Sequence, residues 1–338
     1  MRVSIIGCGL IGSRRADIIK QAGTDSITAV VDTDIERAKA LASKIGCNAE
    51  IDWQSVVKDS AVDVVVVSTT NNWLAQITTT ALQNGKNVLC EKPMGRNLAD
   101  AEAMYKASVS SGKLLKIGFN HRYHPAIFKG YELCAEGKIG KLFYARSFYG
   151  HGGRPGYESE WRGNAELSGG GELLDQGVHV IDLFGWFLGD FAKAFGVTQT
   201  FQWFRQGTPV EDNAMATLTA TGGQFAMFHT SWTQWKNRFS FEVFGEKGYI
   251  RVEGLGGSYG VERLTLGIRK AEGGAPIESE WEFAGPDPSW EDEWKDFSLA
   301  IQQKRQPLGS AADGLKAMRV VDAVYRSSKL GTQVDISK

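Results

Sequence analysis

Three ionisable side chains, Lys92, Asp175 and His179, stand where they could move a proton and steady a charge. Lys92 stands before the proline that ends KNVLCEKP (86–93), in which Asn87 to Cys90 reads as a short buried strand. Proline biases the residue before it away from helical geometry. Lys92 is therefore expected to stay extended, with its ammonium directed into a cleft, the bond to Pro93 being trans or, as in a minority of such bonds, cis. A solvated surface lysine is the alternative. Asp175 and His179 lie four apart in GGGELLDQGVHVIDLFGWFLG (169–189), a spacing that puts both on one face of a helix. A carboxylate beside an imidazole raises its proton affinity and fixes its orientation. The set suits reversible hydride transfer at a secondary alcohol. The imidazole would take the hydroxyl proton while the ammonium stabilises the developing alkoxide. Asp182, three residues beyond His179, is a competing partner or a structural acid.

A second chemistry-bearing stretch is Gly7-Cys8-Gly9-Leu10-Ile11-Gly12. In this G-x-G-x-x-G pattern Gly7 permits the sharp turn, Gly9 lets backbone approach a pyrophosphate, and Gly12 lets helix and strand pack closely. The helix N-terminus adds free N–H groups for phosphate oxygens. Asp32 closes the second strand, where an acid accepts from the adenosine ribose hydroxyls. That acid would repel a 2′-phosphate, so NAD is expected over NADP, with Arg37 free to stack on adenine or hold a phosphate. Ser68-Thr69-Thr70-Asn71 end the fourth strand, where hydroxyl and amide groups either line a cofactor cleft or cap the next helix.

These groups need strands that deliver them to one edge. The first third alternates apolar strands with helices: Arg2 to Ile6, residues 10–22, Ser26 to Val31, Ile35 to Ile45, Val62 to Val67, Trp73 to Asn84, and the strand before Glu91. Asn97 caps a further helix that ends near Gly112, and LLKIGF follows as a strand. The alternation predicts a doubly wound parallel sheet, an α/β Rossmann domain, over residues 1–122. Beyond it the pattern changes. Helices are expected over Pro125 to Glu136 and Glu172 to Leu188, and strands at FYARSFY, MATLTAT, QFAMFHTSWT, FSFEVFG and RLTLGI. That pattern predicts an α+β domain over 123–338 with a large open, mainly antiparallel sheet, and a last helix (about 311–328) that is a candidate to pack back on the first domain. A formal net charge of −1 in 338 residues offers no global basic field for nucleic acid or anionic lipid. The longest apolar run, Val64 to Val67, is far too short to span a membrane. A chain that opens directly on a strand leaves no room for a signal peptide, and Cys8, Cys47, Cys90 and Cys134 have no metal-knuckle spacing. A cytoplasmic protein with reduced thiols and no metal is expected.

GCGLIG, CEKP (90–93), GFNHRYHP (118–125) and GGGELLDQGVH (169–179) together resemble the glucose–fructose oxidoreductase / inositol dehydrogenase / rhizopine-catabolism (Gfo/Idh/MocA) family over nearly the full length. The resemblance implies a tightly held nicotinamide cofactor and catalytic roles for Lys92, Asp175 and His179. It also implies that Glu91, Pro93, Asn120 and Arg122 shape the cofactor cleft, and that dimers or tetramers form on the open sheet. The chain departs from the family pattern at Thr70, where proline is usual, at Leu74, where a histidine would stand, and at His121, where arginine is common.

The loop GHGGRPGYESEWRGNAELSGGG (150–171) carries Arg154, Tyr157, Trp161 and Arg162. Aromatics stack on sugar faces and arginines hold carboxylates or phosphates. Trp161 and Arg162 alternatively pack against the cofactor. His229, Trp232 and Trp235 share one strand and face either the pocket or a core or subunit interface. The resemblance implies a sugar, cyclitol or nucleotide sugar as substrate. Two rival readings stand beside the dehydrogenase: a nicotinamide-assisted glycosidase with no net redox change, and a catalytically silent cofactor-binding regulator.

Overall fold

The computed structural model describes residues 1–204 and 210–336. Along the chain it contains β1 (Arg2–Ile6), α1 (Leu10–Ala22), β2 (Ser26–Val31), α2 (Ile35–Ile45), β3 (Asn48–Glu50), α3 (Trp53–Lys58), β4 (Val64–Val67), α4 (Asn71–Gln83), β5 (Asn87–Cys90), α5 (Leu98–Ser111), β6 (Leu115–Ile117), α6 (Pro125–Ala135), β7 (Leu142–Gly150) and α7 (Ala165–Ser168). A π-helical turn, Leu173–Gly177, leads into α8 (Val178–Leu188). There follow β8 (Phe191–Gln199), β9 (Asn213–Ala220), β10 (Phe225–Ser231), β11 (Arg238–Gly245), β12 (Gly248–Glu253), β13 (Glu262–Ile268), β14 (Ile277–Phe283), α9 (Ser289–Gln303), α10 (Ala311–Leu330) and β15 (Val334–Asp335).

Two compact units divide the chain. The first comprises Met1–Asn120, Glu166–Gly169 and Trp290–Met318; the second comprises His121–Ala165, Gly170–Ser289 and residues from Arg319 onward. The first unit holds a parallel six-stranded sheet in the order β3-β2-β1-β4-β5-β6. Strands covered on both faces read as unbroken apolar runs, and all four valines of β4 are buried. Local chemistry sets the helix ends. Asp34 caps α2 by accepting from the Glu36 and Arg37 N–H groups, Asn97 caps α5, and Gly46 and Gly112 close the same helices in the left-handed conformation.

The expected single boundary at 122/123 is not what the chain does. Trp294 and Phe297 of α9, a helix the sequence reading missed, complete the apolar cluster of Val3, Ile5, Ile19, Val30, Val66 and Leu89, which brings Trp290–Met318 into the first unit. In the second unit a nine-stranded sheet runs β14-β13-β12-β11-β7-β10-β9-β8-β15. It is antiparallel except where β10 pairs β7 in parallel. α6 packs against β12 and β13, and α8 against β7. The opposite face carries exposed Phe148, Phe195, Val197, Met215 and Met227. Cys8 and Cys90 are buried, and all four cysteines are free. No helix among the described residues is long and apolar enough to cross a membrane.

Candidate active site

The carboxyl edge of the first unit's sheet assembles one set of groups. β1 runs into Gly7, whose φ of 99° suits glycine. A Cβ on Gly12 would lie 1.8 Å from the Gly7 carbonyl oxygen, whereas one on Gly9 would meet nothing within 4 Å. The turn is thus tight on its inner side and open on its outer side. The following helix begins with Leu10 79% exposed and Ile11 half-buried. Ser68 closes the turn from β4, its hydroxyl donating to the Gly7 carbonyl at 2.9 Å. At the end of β2 the Asp32 carboxylate accepts from the N–H groups of Cys8 (2.8 Å) and Asp34 (2.9 Å). These bonds hold it beside the glycine turn with lone pairs to spare. The residues present therefore fit a dinucleotide: an open cradle for pyrophosphate at Gly9 and a fixed carboxylate for a ribose. Arg37 pairs with Asp32 (3.6 Å) and Asp34 (3.4 Å).

The polar run after β4 does two jobs. Thr69 donates to the Thr70 carbonyl and Thr70 to the Asn72 side chain. Asn71 is buried, its amide donating to the Ser168 carbonyl at 2.8 Å, so it ties the first helical turn to the segment 166–169. Helix α4 starts at Asn71 rather than at Trp73, and Leu74 is fully buried within it.

From β5 emerge Glu91, Lys92 and Pro93, with the Lys92–Pro93 bond cis. Lys92 is half-buried. Glu91 turns toward α1. Its carboxylate is buried against the Arg15 guanidinium of α1, at 2.6 Å from Nη2 and 2.8 Å from Nε. Burial raises the Glu91 pKa and Arg15 works against that rise.

The remaining groups lie in the second unit, except Asn120, which belongs to the first. Asn120 and Arg122 flank His121 in the short 3₁₀ turn Asn120–Tyr123. Asn120 is buried. Arg122 donates to both oxygens of Asp182 at 2.8 and 2.6 Å and lies over the Trp186 ring. Asp182 is thus held by Arg122. His179 is buried and stacks face to face on His121, ring centroids 3.9 Å apart at 17°. His121 also meets Tyr149 and His124 edge-on or tilted.

Asp175 sits in the π turn, not in the α-helix assumed for its four-residue spacing to His179. The wide turn begins where the Glu211 carboxylate accepts from the Gly171 and Leu173 N–H groups, 3.0 and 3.1 Å away. Asp175 Oδ2 lies 3.5 Å from Arg162 Nε, a pairing the spacing did not reveal. Nearby, Gln176 donates to the Tyr259 hydroxyl. Burial pushes Tyr259 up to about 12 and lowers His151, against the pull of Asp175.

The 150–171 loop is sorted by burial. Arg154 is exposed and pairs Glu160 at 2.5 Å. Arg162 lies over the half-buried Trp161 ring at 4.9 Å and pairs Glu160 as well as Asp175. Tyr157, expected to meet substrate, is only 2% exposed and sits in a cluster with Phe204, Val210 and Trp232. β10 ends at Ser231, so Trp232 and Trp235 lie beyond the strand that carries His229; Trp232 is core, His229 bonds Asn213 (3.0 Å), and Trp235 is widely exposed. His121, Arg15 and Glu211 are the residues missed. Only His121 carried a local signal, its place inside GFNHRYHP.

Comparison with known proteins agrees with this geometry. Residues 1–119 match the oxidoreductase family with an NAD-binding Rossmann fold, and residues 129–251 match the GFO/IDH/MocA C-terminal domain. The chain is 29% identical over 337 residues to a 1,5-anhydro-D-fructose reductase from Ensifer adhaerens, covering 99% of this chain and 98% of that protein. It is 26% identical over 334 residues to an inositol 2-dehydrogenase from Rubrobacter xylanophilus, covering 97% and 91%. A levoglucosan dehydrogenase solved in complex with NADH has the same fold, with TM-score 0.91 at 23% identity, covering 100% of this chain and 99% of that one.

Proposed function

The chain belongs to the GFO/IDH/MocA oxidoreductase family, and on that premise we propose that it transfers a hydride between NAD and a secondary alcohol or ketone of a sugar or cyclitol, using Lys92, Asp175 and His179. One observation carries the reading. The open position at Gly9, the fixed carboxylate of Asp32 and the half-buried Lys92 all emerge at the carboxyl edge of one parallel sheet, where ligands of doubly wound folds bind. NAD supplies the hydride acceptor or donor. Gly7, Gly9, Leu10, Ile11 and Gly12 hold its pyrophosphate on backbone N–H groups. Asp32 accepts from the ribose and repels a 2′-phosphate, and the one cation in the first turn of α2, Arg37, is already shared between Asp32 and Asp34. Ser68, Thr69, Pro93 and Asn120 border the same cofactor.

In the oxidation direction His179 takes the hydroxyl proton, Asp175 favours the imidazolium so formed, and the Lys92 ammonium stabilises the oxygen as its proton leaves. His121 covers one face of the His179 ring and holds it against rotation. Trp161, Arg162 and Trp235 are the groups of the second unit left to meet a hydroxylated ring. Two relatives bearing the names anhydrofructose reductase and inositol dehydrogenase support a sugar-like polyol. The reading includes a homo-oligomer. Phe195, Val197, Met215, Met227 and Phe148 form one exposed apolar face through the registers Val197↔Met215, Met215↔His229 and His229↔Phe148, and surfaces of this kind are usually covered.

The test is a panel of sugars, cyclitols and nucleotide sugars with NAD, read as NADH absorbance. Turnover that makes NADH supports the reading; product without net NADH, or no product from any member, refutes it. His179→Ala and Lys92→Met should each lower single-turnover hydride transfer by roughly 10²–10⁴-fold, the usual scale for acid–base groups, with NADH binding retained.

A further inference from the structure

A buried quartet of charges lies in the first unit. The Arg15 guanidinium on α1 meets Glu91 at the end of β5 (2.6 Å) and Glu293 on α9 (2.6 Å), and Lys116 on β6 stands 3.4 Å from Glu293. Arg15, Lys116 and Glu293 are at most 1% exposed. The Trp290 ring covers Arg15 at 4.4 Å. Backbone also lies close to the pair, since a Cβ on Gly118 would lie 2.8 Å from Glu91 Oε2. The four charges sum to zero. Burial works against the charge of Arg15, but Glu293 and Glu91 more than offset it and hold its pKa above the ordinary value. A buried ionic cluster is weak evidence for stability, because well-packed apolar residues often hold a fold as well. Its geometry here serves something else.

Arg15 lies on the helix that opens at the glycine turn, and Glu91 is the residue before Lys92. The guanidinium places Nε and Nη2 together on one Glu91 oxygen, a planar fork that fixes direction as well as distance. We propose that the Arg15–Glu91 pair positions Lys92, tying the strand end that carries the lysine to the helix that carries the cofactor's phosphates. The proposal rests on the reading of Lys92 as a catalytic group. In it Arg15 and Glu91 are positioning residues that touch neither substrate nor cofactor. Glu293 and Lys116 complete the charge balance behind them.

Two charge-neutral double variants separate positioning from mere folding. Arg15→Met with Glu91→Gln removes the front pair and leaves Lys116 and Glu293 together. Glu293→Gln with Lys116→Met removes the rear pair and leaves Arg15 and Glu91 together. Each removes one cation and one anion from the same buried cluster, so calorimetry should show similar losses of Tm. Single-turnover hydride transfer, with the polyol that the panel identifies, should fall about 10- to 100-fold in the front-pair variant alone, the scale of a slight misplacement of a reacting group. KM and the NADH dissociation constant, read by fluorescence, should stay at the parent values in both. Equal loss of hydride transfer in the two variants, or none in the front-pair variant, overturns the proposal. Lys92→Met separates the two layers of argument. Should it be inactive while the front-pair variant transfers hydride at the parent rate, the positioning role alone falls; should Lys92→Met itself be active, the reading of Lys92 falls and takes the positioning role with it.

Discussion

Gly9 and Gly12 differ in what a methyl group would meet, so alanine at each should fail for a different reason. At Gly9 the added carbon has nothing within 4 Å and the backbone is ordinary, with φ −70°. Stability should change little, since the entropy gained from Gly→Ala, about 0.4–1 kcal/mol, is offset by the poorer helix cap that alanine makes. The open space is where phosphate oxygens must approach the N–H groups. Displacing one or two charge-assisted hydrogen bonds, each about 1.5–3 kcal/mol, with partial recovery through water, leaves a loss of about 2–4 kcal/mol. That is roughly 30- to 700-fold in the dissociation constant. At Gly12 the carbon would sit 1.8 Å from the Gly7 carbonyl oxygen and 2.7 Å from Ser68 Oγ, against a normal carbon contact of about 3.5 Å. Opening that gap costs about 1–3 kcal/mol or more, and helix propensity returns at most about 1 kcal/mol. Calorimetry and NADH fluorescence titration should therefore cross over: Gly9→Ala melts like the parent and binds weakly, while Gly12→Ala melts early. Parent-like NADH affinity in Gly9→Ala, or a parent-like Tm in Gly12→Ala, would refute the reasoning.

Other outcomes follow from the same contacts. Asp32→Ala should weaken NADH and narrow its advantage over NADPH; tighter NADPH than NADH binding by the unmodified chain would contradict the role given to Asp32. Asp182→Asn removes the carboxylate charge that Arg122 meets in the interior and should cost about 3–5 kcal/mol in urea unfolding, much of it recovered by the double variant with Arg122→Leu. The hydrogen bond from Arg2 holds the Asp63 carboxyl down at about 2, below its ordinary 3.8. A depressed folded-state pKa contributes stability above pH 3.8 and loses it as pH falls through about 2. The urea midpoint of the parent should drop across that window more steeply than that of Asp63→Asn. The difference should stay within about 1 kcal/mol, because the pair is partly exposed.

Where a function is written in neighbouring residues, the sequence displayed it. The tight glycine turn after β1 and the cap at Asn97 are set by contacts within a few residues, and both are where their spacing put them. The parallel sheet followed because strands buried on both faces leave unbroken apolar runs. Pairings between distant segments were hidden. Arg15 and Glu91 are 76 residues apart, and nothing local says that Glu91 meets a buried guanidinium. Tyr157 sits among loop residues that suit a sugar, yet Phe204, Val210 and Trp232 converge on it from elsewhere and bury it. The Asp175–His179 spacing assumed an α-helix, and the capping carboxylate of Glu211 arrives from 40 residues downstream of Gly171 to start a wider turn. Helix α9 was readable in principle, with Trp294, Phe297, Ala300 and Ile301 on a helical period, but its many acids disguised it.

The indole of Trp294 donates to Asp25 across 269 residues of chain, and this has a consequence for synthesis. A ribosome adding about 5–20 residues per second needs roughly 15 to 55 s to pass from one to the other. Through that interval the nascent sheet has its strands but lacks the helix that seals Val3, Ile5 and Ile19. The amino-terminal third lacks part of its core as it emerges and must wait for nearly the whole chain. A released fragment ending near residue 122 should accordingly be sticky and short-lived, and expression of the intact chain should benefit from holdase chaperones acting during that wait.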